Sequence, residues 1–161
     1  MNLARDAWFS SLGETLGAGE RTDIDAYCAG LGIEQSGAPL LVTTWEDAAG
    51  YVKKPAGPWW AKEEAERANL EKTIQLSPSD PDWIKLNDVL QGCAAIAASR
   101  FGYSNPGMIK VAAGSASFAA YHELLADGAK LAPMHPFHRK YSLFAAGRWP
   151  LGVYDGRFVI F

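Results

Sequence analysis

The sequence predicts an α+β fold that is mostly helical, with a small antiparallel sheet built around a C-terminal β-hairpin. Three observations support this fold class. Apolar residues recur at three- and four-residue steps through most of the chain, as on the buried face of a helix. Asp155-Gly156 lies between two apolar runs, as in a two-residue hairpin turn. The 161 residues, 48% of them hydrophobic, suffice for one globular domain over residues 1–161 with a sizeable core.

The first two helices are predicted from their caps and apolar stripes. Asn2 is a suitable N-cap for a helix that runs to about Leu16, where the glycines of the segment from Gly17 to Gly19 end it. Asp23 is a suitable N-cap for a second helix, which stops near Gly32. The buried stripe of the second helix is predicted to contain Ile24, Tyr27, Cys28 and Leu31.

Two short elements follow. Leu40 to Val42 is either a short strand or an extended approach to the next helix. Thr44 and Asp47 have the spacing of a capping box, which predicts a helix through Val52.

A third helix is predicted to begin at Pro58, because proline suits the first turn of a helix. Glu63, Arg67 and Glu71 are four residues apart, so we expect them to pair along a solvated face. The core side is thin and is predicted to consist of Trp59 or Trp60 with Leu70 and Ile74.

Ser77 to Pro81 is predicted to be an inter-helix loop, because its two prolines forbid a continuous helix. The helix from Pro81 to about Arg100 has the broadest apolar face, and we expect it to be central and the most buried. That face is predicted to contain Trp83, Ile84, Leu86, Val89, Leu90, Cys93, Ile96 and Ala97.

Two interpretations are open for Met108 to Ala112, which fits a strand or the start of a helix. A helix capped by Ser115 or Ser117 is expected next. The last helix is predicted from Pro136 to Ala146, with Phe137, Tyr141 and Phe144 inward and His138, Arg139 and Lys140 toward water.

The C-terminal hairpin has a predicted register. A type I′ turn at Asp155-Gly156 pairs Tyr154 with Arg157, Val153 with Phe158, and Leu151 with Ile160. This register predicts one apolar face, which consists of Trp149, Leu151, Val153, Phe158 and Ile160.

Charge is distributed unevenly along a chain whose net charge is only −3. Residues 1–88 carry a formal charge of −7, and residues 89–161 carry +4. An acidic half either attracts a basic partner or lets the two halves of the chain attract each other.

An acidic helical surface with an aromatic anchor is the predicted partner-binding site. Trp59 and Trp60 are adjacent, so both cannot face the core, and tryptophan is enriched at interface hot spots. With them, the predicted site contains Glu63, Glu64 and Glu66. The leading functional hypothesis is therefore a non-enzymatic protein-binding module, of the inhibitor or immunity type, for a basic protein partner.

The alternative function is a small metal-dependent or histidine-based hydrolase. The three histidines fall within seventeen positions and have an acidic neighbour, so together they offer metal ligands or a general base. The candidate catalytic residues of this alternative are His122, Glu123, His135 and His138.

Other classes lack a motif in the sequence. It has neither a phosphate-binding glycine loop nor a serine hydrolase elbow, so we predict no cofactor and no metal for the leading function. The acidic balance argues against nucleic acid as a primary ligand, and no apolar run predicts a membrane partner. Cys28 and Cys93 lie on apolar helical faces, which favours a reduced, cytoplasmic compartment. Self-association through the hairpin edge or through an apolar helix face is a third possibility.

Overall fold

A computed structural model describes residues 6–55, 57–75 and 81–161 of the protein. Within these residues the chain forms six α-helices and three short strands, and the α+β prediction is confirmed. In chain order the elements are α1 (Ala18–Gly30), β1 (Leu40–Leu41), α2 (Trp45–Val52), α3 (Pro58–Glu71), α4 (Pro81–Arg100), α5 (Pro106–Gly128), α6 (Pro136–Ala145), β2 (Pro150–Tyr154) and β3 (Arg157–Ile160).

The sheet has the strand order β1-β3-β2 and is mixed, not purely antiparallel. The hairpin strands β2 and β3 are antiparallel, whereas β1 runs parallel to β3 and pairs Leu40 with Val159. Of the two interpretations of the segment at residues 40–42, the strand is therefore correct. The sheet joins an early segment of the chain to the hairpin.

The hairpin turn forms as predicted, but the register changes beyond it. Asp155 and Gly156 have φ angles of 51° and 72°, which fits a type I′ turn. The two pairs nearest the turn are confirmed, whereas Ile160 pairs with Pro150 because a β-bulge accommodates Leu151. The pairing of Leu151 with Ile160 was therefore wrong.

The bulge places the hairpin side chains in two core clusters. Trp149 and Leu151 pack in one cluster, while Val153, Phe158 and Ile160 pack in another. The prediction of one shared apolar face was wrong, because a one-residue insertion reverses the direction of the side chains beyond it.

Residues 6–16 form turns instead of the predicted first helix. Phe9 has a φ of 58°, which interrupts a helix, yet its side chain is buried edge-on against Phe144 and Trp149. The buried Arg148 guanidinium donates hydrogen bonds to three backbone carbonyls of residues 11–15 and fixes this segment. Tertiary contacts therefore override the helical pattern, and the predicted cap at Asn2 lies outside the described residues.

Most helix boundaries agree with their sequence signals. Thr44 accepts a hydrogen bond from the Asp47 backbone N–H at 3.1 Å, which confirms the cap of α2. The helix α1 begins five residues before its predicted cap Asp23, with Gly17 as the N-cap. Residues 108–112 are helical, and α5 continues through the predicted serine caps without a break. The loop predicted before Pro81 lies mostly outside the described residues.

The helix α4 packs against α5 and is less buried than predicted. Ile84, Val89 and Ile96 are more than half exposed, so the buried stripe is narrower than the apolar pattern. Its buried part is largely small side chains, which allow the two helices to approach closely. The alanines that α4 and α5 contribute to one shared core cluster are Ala94, Ala97, Ala98, Ala112, Ala113, Ala116, Ala119 and Ala120.

Candidate functional site

The helix α3 turns one of its glutamates into the protein interior. Glu63 is 4% exposed, so its predicted place on a solvated face with Arg67 and Glu71 was wrong. It lies two turns before the buried Leu70, on the same side of the helix. Glu64 and Arg67 stay at the surface, where they form an ion pair at 2.9 Å.

Glu63 belongs to a polar cluster, defined here as Tyr27, Glu63, His122 and Lys140. Lys140 Nζ donates to Glu63 Oε1 at 2.5 Å, and the Tyr27 hydroxyl donates to Oε2. His122 Nδ1 lies 3.7 Å from Glu63 Oε1. The four side chains come from α1, α3, α5 and α6, so four helices meet at the buried ion pair of Glu63 with Lys140.

The cluster keeps Glu63 ionised despite its burial. Burial acts to raise the pKa of Glu63, but the charge of Lys140, with hydrogen bonds from Lys140 and Tyr27, holds that pKa below its usual value. Burial raises the pKa of Tyr27 well above its usual value, and the nearby Glu63 carboxylate adds to this shift. Tyr27 therefore acts as a hydrogen-bond donor and Glu63 as a charged acceptor.

Within the polar cluster, His122 is the side chain that lacks hydrogen bonds. It is 1% exposed, and within the described residues neither ring nitrogen makes a hydrogen bond. Its ring stacks on Phe137 with a centroid distance of 4.2 Å. Burial lowers the pKa of His122 to about 3, and the charge of Lys140 contributes to this shift. A neutral imidazole of this kind offers one N–H donor and one lone pair.

The polar cluster adjoins a cavity of about 290 Å³, which we call the aromatic pocket. Trp59, Trp60 and Phe118 contribute to its lining, and the exposed Lys54 lines it as well. Three members of the polar cluster reach this cavity: Glu63, His122 and Lys140. Charged and hydrogen-bonding groups therefore meet aromatic surface in one concave site, as in small-molecule sites generally.

A second, wider cavity of about 690 Å³ lies between α3, α4 and α5, and we call it the α3–α5 groove. Trp60, Ile84 and Phe118 line it and are 48%, 64% and 59% exposed. Trp60 and Phe118 line both cavities, so the groove and the aromatic pocket adjoin each other.

The polar side of the groove is an ion network on α3. Arg67 lies between Glu64 and Glu71, at 2.9 Å and 2.5 Å. The Tyr121 hydroxyl donates to Glu71 Oε1 at 2.6 Å. Two carboxylates share one guanidinium, so this side of the groove carries one excess negative charge.

The two adjacent tryptophans separate as the sequence indicated. Trp60 is the exposed one, while Trp59 is partly buried against the hairpin. Gly152 has a φ of 130°, and a Cβ at this position would collide with the Trp59 ring. The absence of a side chain at Gly152 thus makes room for Trp59 beside the bulge.

The three histidines face three different carboxylates. His135 Nε2 lies 3.1 Å from a Glu66 oxygen, and His138 Nδ1 lies 2.8 Å from a Glu123 oxygen. His122 faces Glu63 instead, so the predicted candidates His122, Glu123, His135 and His138 do not share one set of ligand atoms. A smaller group does converge: the ligand atoms of Glu123, Asp127 and His138 lie within 4.8 Å of one another.

The basic residues of α6 do not point freely into water, contrary to prediction. Arg139 pairs with Asp23 at 3.0 Å, and His138 and Lys140 have the glutamate partners described above. These contacts join α6 to α1, α3 and α5. The acidic N-terminal half and the basic C-terminal half therefore attract each other within the fold, which was one of the two interpretations of the charge asymmetry.

The Cys28 thiol is poorly suited to nucleophilic chemistry. Its side chain is buried, and burial raises its pKa to about 12, with the nearby Asp25 charge adding to the shift. Only the thiolate is strongly nucleophilic, so this side chain fits the predicted packing role.

Tyr27 and Lys140 are the members of the polar cluster that sequence analysis missed. Tyr27 was predicted to be buried, and a buried hydroxyl requires a partner. The two-turn separation of Glu63 and Leu70 was the signal that could have identified that partner. Lys140 gave no such signal, because its neighbours on α6 are also basic.

Comparison of the chain with protein-family models, curated proteins and solved structures finds no match. Among residues 6–55, 57–75 and 81–161, none of the helices combines the length and apolar composition needed to cross a bilayer. Function is therefore inferred from the geometry of the two cavities and their charges.

Proposed function

We propose that the protein is a non-enzymatic binding module, of the inhibitor or immunity type, which holds a basic protein partner in the α3–α5 groove. The observation that carries this proposal is the exposure of Trp60, Ile84 and Phe118 along one concave surface. Large apolar side chains grouped in this way are typical of protein interaction sites, and tryptophan often dominates their binding energy.

The charge of the groove argues for a partner segment that combines apolar and basic side chains. Arg67 neutralises one of the two carboxylates beside it, which leaves one excess negative charge between Glu64 and Glu71. An arginine or lysine on the partner would complement this charge, while an apolar neighbour would cover Trp60. Such complementarity chiefly accelerates association and selects the partner.

Only part of the partner-binding site predicted from the sequence lies at the groove in the folded protein. Trp60 and Glu64 line the groove, whereas Glu63 lies in the interior and Glu66 pairs with His135. We therefore assign the aromatic contact to Trp60 and the charged contact to Glu64. Trp59 packs against Gly152 of the hairpin instead.

The test is affinity capture from source-cell lysate with wild type and matched variants. Trp60→Ala and Phe118→Ala remove groove surface, whereas Ile96→Ala removes a side chain that is equally exposed but lies outside both cavities. We expect one stoichiometric protein that is retained by wild type and Ile96→Ala and lost with the two groove variants. Equal retention by all four proteins, or no retained protein, would overturn the proposal.

A charge variant tests the basic character of the captured partner. Glu64→Lys places a cation in the groove, and Glu34→Lys makes the same change at an exposed site that lines neither the groove nor the aromatic pocket. Association at low salt should slow with Glu64→Lys alone, and the difference should shrink at high salt because ions screen it. Identical association rates for the two variants would remove the electrostatic part of the proposal.

The hydrolase remains a second candidate because of one observation, the convergence of Glu123, Asp127 and His138. An imidazole and two carboxylates are ligands that zinc or manganese accepts. Elemental analysis of protein prepared without chelators distinguishes the candidates: a stoichiometric metal that His138→Ala removes favours the enzyme. Metal-free protein that stays inactive with added zinc and manganese counts against it.

A further inference from the structure

We propose that the aromatic pocket binds a small planar aromatic acid whose ring carries a hydrogen-bond donor, with the donor at His122 and the carboxylate at Lys54. This proposal does not rest on the protein-binding function proposed for the groove, although Trp60 and Phe118 line both cavities. The shape of the cavity, an unpartnered buried imidazole and an exposed cation support the proposal.

The size and lining of the pocket favour a compact aromatic ring. A cavity of about 290 Å³ lies at the lower end of the range for small-molecule sites. Trp59, Trp60 and Phe118 offer aromatic surface, against which a flat ring stacks better than a branched aliphatic group. A ligand of one or two fused rings matches this space.

His122 selects for a hydrogen-bond donor on the ring. Its Nδ1 faces the Glu63 carboxylate, which favours the proton on Nδ1 and leaves the Nε2 lone pair as an acceptor. Lys140 donates one of its N–H groups to Glu63 Oε1, and the Tyr27 hydroxyl donates to Oε2, so each oxygen of that carboxylate already accepts one hydrogen bond. A ring N–H or O–H from a ligand would give His122 the partner that it lacks.

Lys54 selects for an acceptor at the other end of the ligand. Lys54 lines the pocket and takes part in none of the ion pairs among the described residues, and its ammonium lies over the Tyr51 ring. An ammonium of this kind suits a carboxylate, which accepts a charge-assisted hydrogen bond from it.

Three related probes separate the two ends of the site in titration calorimetry with the whole chain. Indole-3-carboxylate has both the donor and the carboxylate, naphthoate lacks the donor, and indole lacks the carboxylate. We expect indole-3-carboxylate to bind at least about fivefold more tightly than either of the others, since each loses one hydrogen-bonded group. No heat from any probe at millimolar concentration, or equal affinities for all three, would overturn the proposal.

Variants assign each end of the ligand to its residue. Lys54→Met should weaken indole-3-carboxylate severalfold and leave indole unchanged, while Lys53→Met, an exposed lysine outside the pocket, should change neither. His122→Phe keeps an aromatic ring on Phe137 and should abolish the preference for indole-3-carboxylate over naphthoate. An unchanged preference in His122→Phe, or equal effects of the two lysine variants, would show that the assignment is wrong.

Binding can also be followed without a variant. Nitrogen-15 NMR of histidine-labelled protein reports the tautomer and hydrogen bonding of His122 directly. Indole-3-carboxylate should shift the Nε2 resonance of His122 and leave those of His135 and His138 in place. Equal shifts of the Nε2 resonances of all three histidines would contradict the proposed position of the donor. Unchanged resonances of both His122 nitrogens would contradict it as well.

Discussion

Glu63 and Glu64 are neighbours on α3, carry the same charge and each contact a cation, yet they lie in opposite environments. Glu63 is 4% exposed and contacts Lys140, Tyr27 and His122. The Glu64 side chain is 26% exposed and shares Arg67 with a second glutamate. One step along a helix turns a side chain by about 100°, and here that step separates interior from solvent.

The difference shows that the contribution of an ion pair to the free energy of unfolding depends on its exposure to water. Water screens the pair of Glu64 with Arg67, so its contribution to the free energy of unfolding is small. Removing water from Glu63 is costly, and Lys140 and Tyr27 only offset this cost. A buried pair is therefore dangerous to break, although it need not be strongly stabilising when intact.

Breaking the buried pair should have the largest effect. Glu63→Ala leaves the Lys140 ammonium without its partner in the interior, and we expect a loss of about 3–5 kcal/mol in the free energy of unfolding. Urea denaturation monitored by tryptophan fluorescence measures this loss. A cost below about 1 kcal/mol would mean that Lys140 reaches solvent when its partner is removed.

Acid should lower the free energy of unfolding through the protonation of His122. Its pKa is about 3 in the folded protein against a usual 6.5, so below pH 6.5 the unfolded chain binds a proton that the folded protein excludes. Stability is thus lost as the pH falls from 6.5 toward 3, by about 2 kcal/mol between pH 6.5 and pH 5. The lowered pKa of Glu63 adds a further loss only below about pH 4.5.

Urea titrations at several pH values, with His122→Phe as the control, measure this dependence. The variant lacks the titrating group, so its stability should fall less steeply than that of the wild type between pH 6.5 and pH 5. Parallel curves for the two proteins would assign the acid sensitivity to other groups.

Breaking the surface pair should have a much smaller effect. Glu64→Ala leaves Arg67 with Glu71 and with water, so we expect a loss of about 0.2–1 kcal/mol that diminishes at high salt. The same urea experiment at low and high salt measures it. A salt-independent loss above 2 kcal/mol would place Glu64 in the same class as Glu63.

Replacing the whole buried network should have the smallest effect. The combination Tyr27→Phe, Glu63→Leu and Lys140→Met removes both charges and the hydroxyl together, and leaves no unpaired donor among these side chains. We expect the free energy of unfolding to stay within about 1 kcal/mol of wild type. A loss as large as that of Glu63→Ala alone would show that the ion pair itself stabilises the fold.

Local chemistry made several elements predictable from the sequence. Asp155-Gly156 specifies its turn through positive φ angles, and Thr44 with Asp47 specifies the start of α2. Each signal acts within four residues and needs no knowledge of the rest of the chain. The same holds for α6, whose proline and apolar spacing identified it.

The remaining features depend on contacts between distant residues. Phe9 leaves the helical pattern because its ring packs on Phe144 and Trp149. Leu151 bulges next to Gly152, where Trp59 from another element occupies the space of a side chain. These partners are distant in sequence, so rules that use only neighbouring residues cannot predict the contacts.

The candidate site was only partly predictable for the same reason. Trp60 was recognised because adjacent tryptophans must face different directions. The polar cluster was missed because the charge spacing of α3 predicted that Glu63 lies on a solvated face. In the structure Glu63 and Leu70 lie on the buried face of α3 instead. Three histidines close in sequence suggested one site, but their helices direct them to separate glutamates.

The parallel pairing of Leu40 with Val159 also sets an order of events during folding. The helices α4 and α5 are consecutive and can dock while synthesis continues, whereas β1 must wait until the hairpin has been made. For that interval β1 is an unpaired edge that can add a strand from another chain. Slow synthesis of the residues between β1 and the hairpin should therefore increase aggregation, although β1 is paired with β3 in the folded protein.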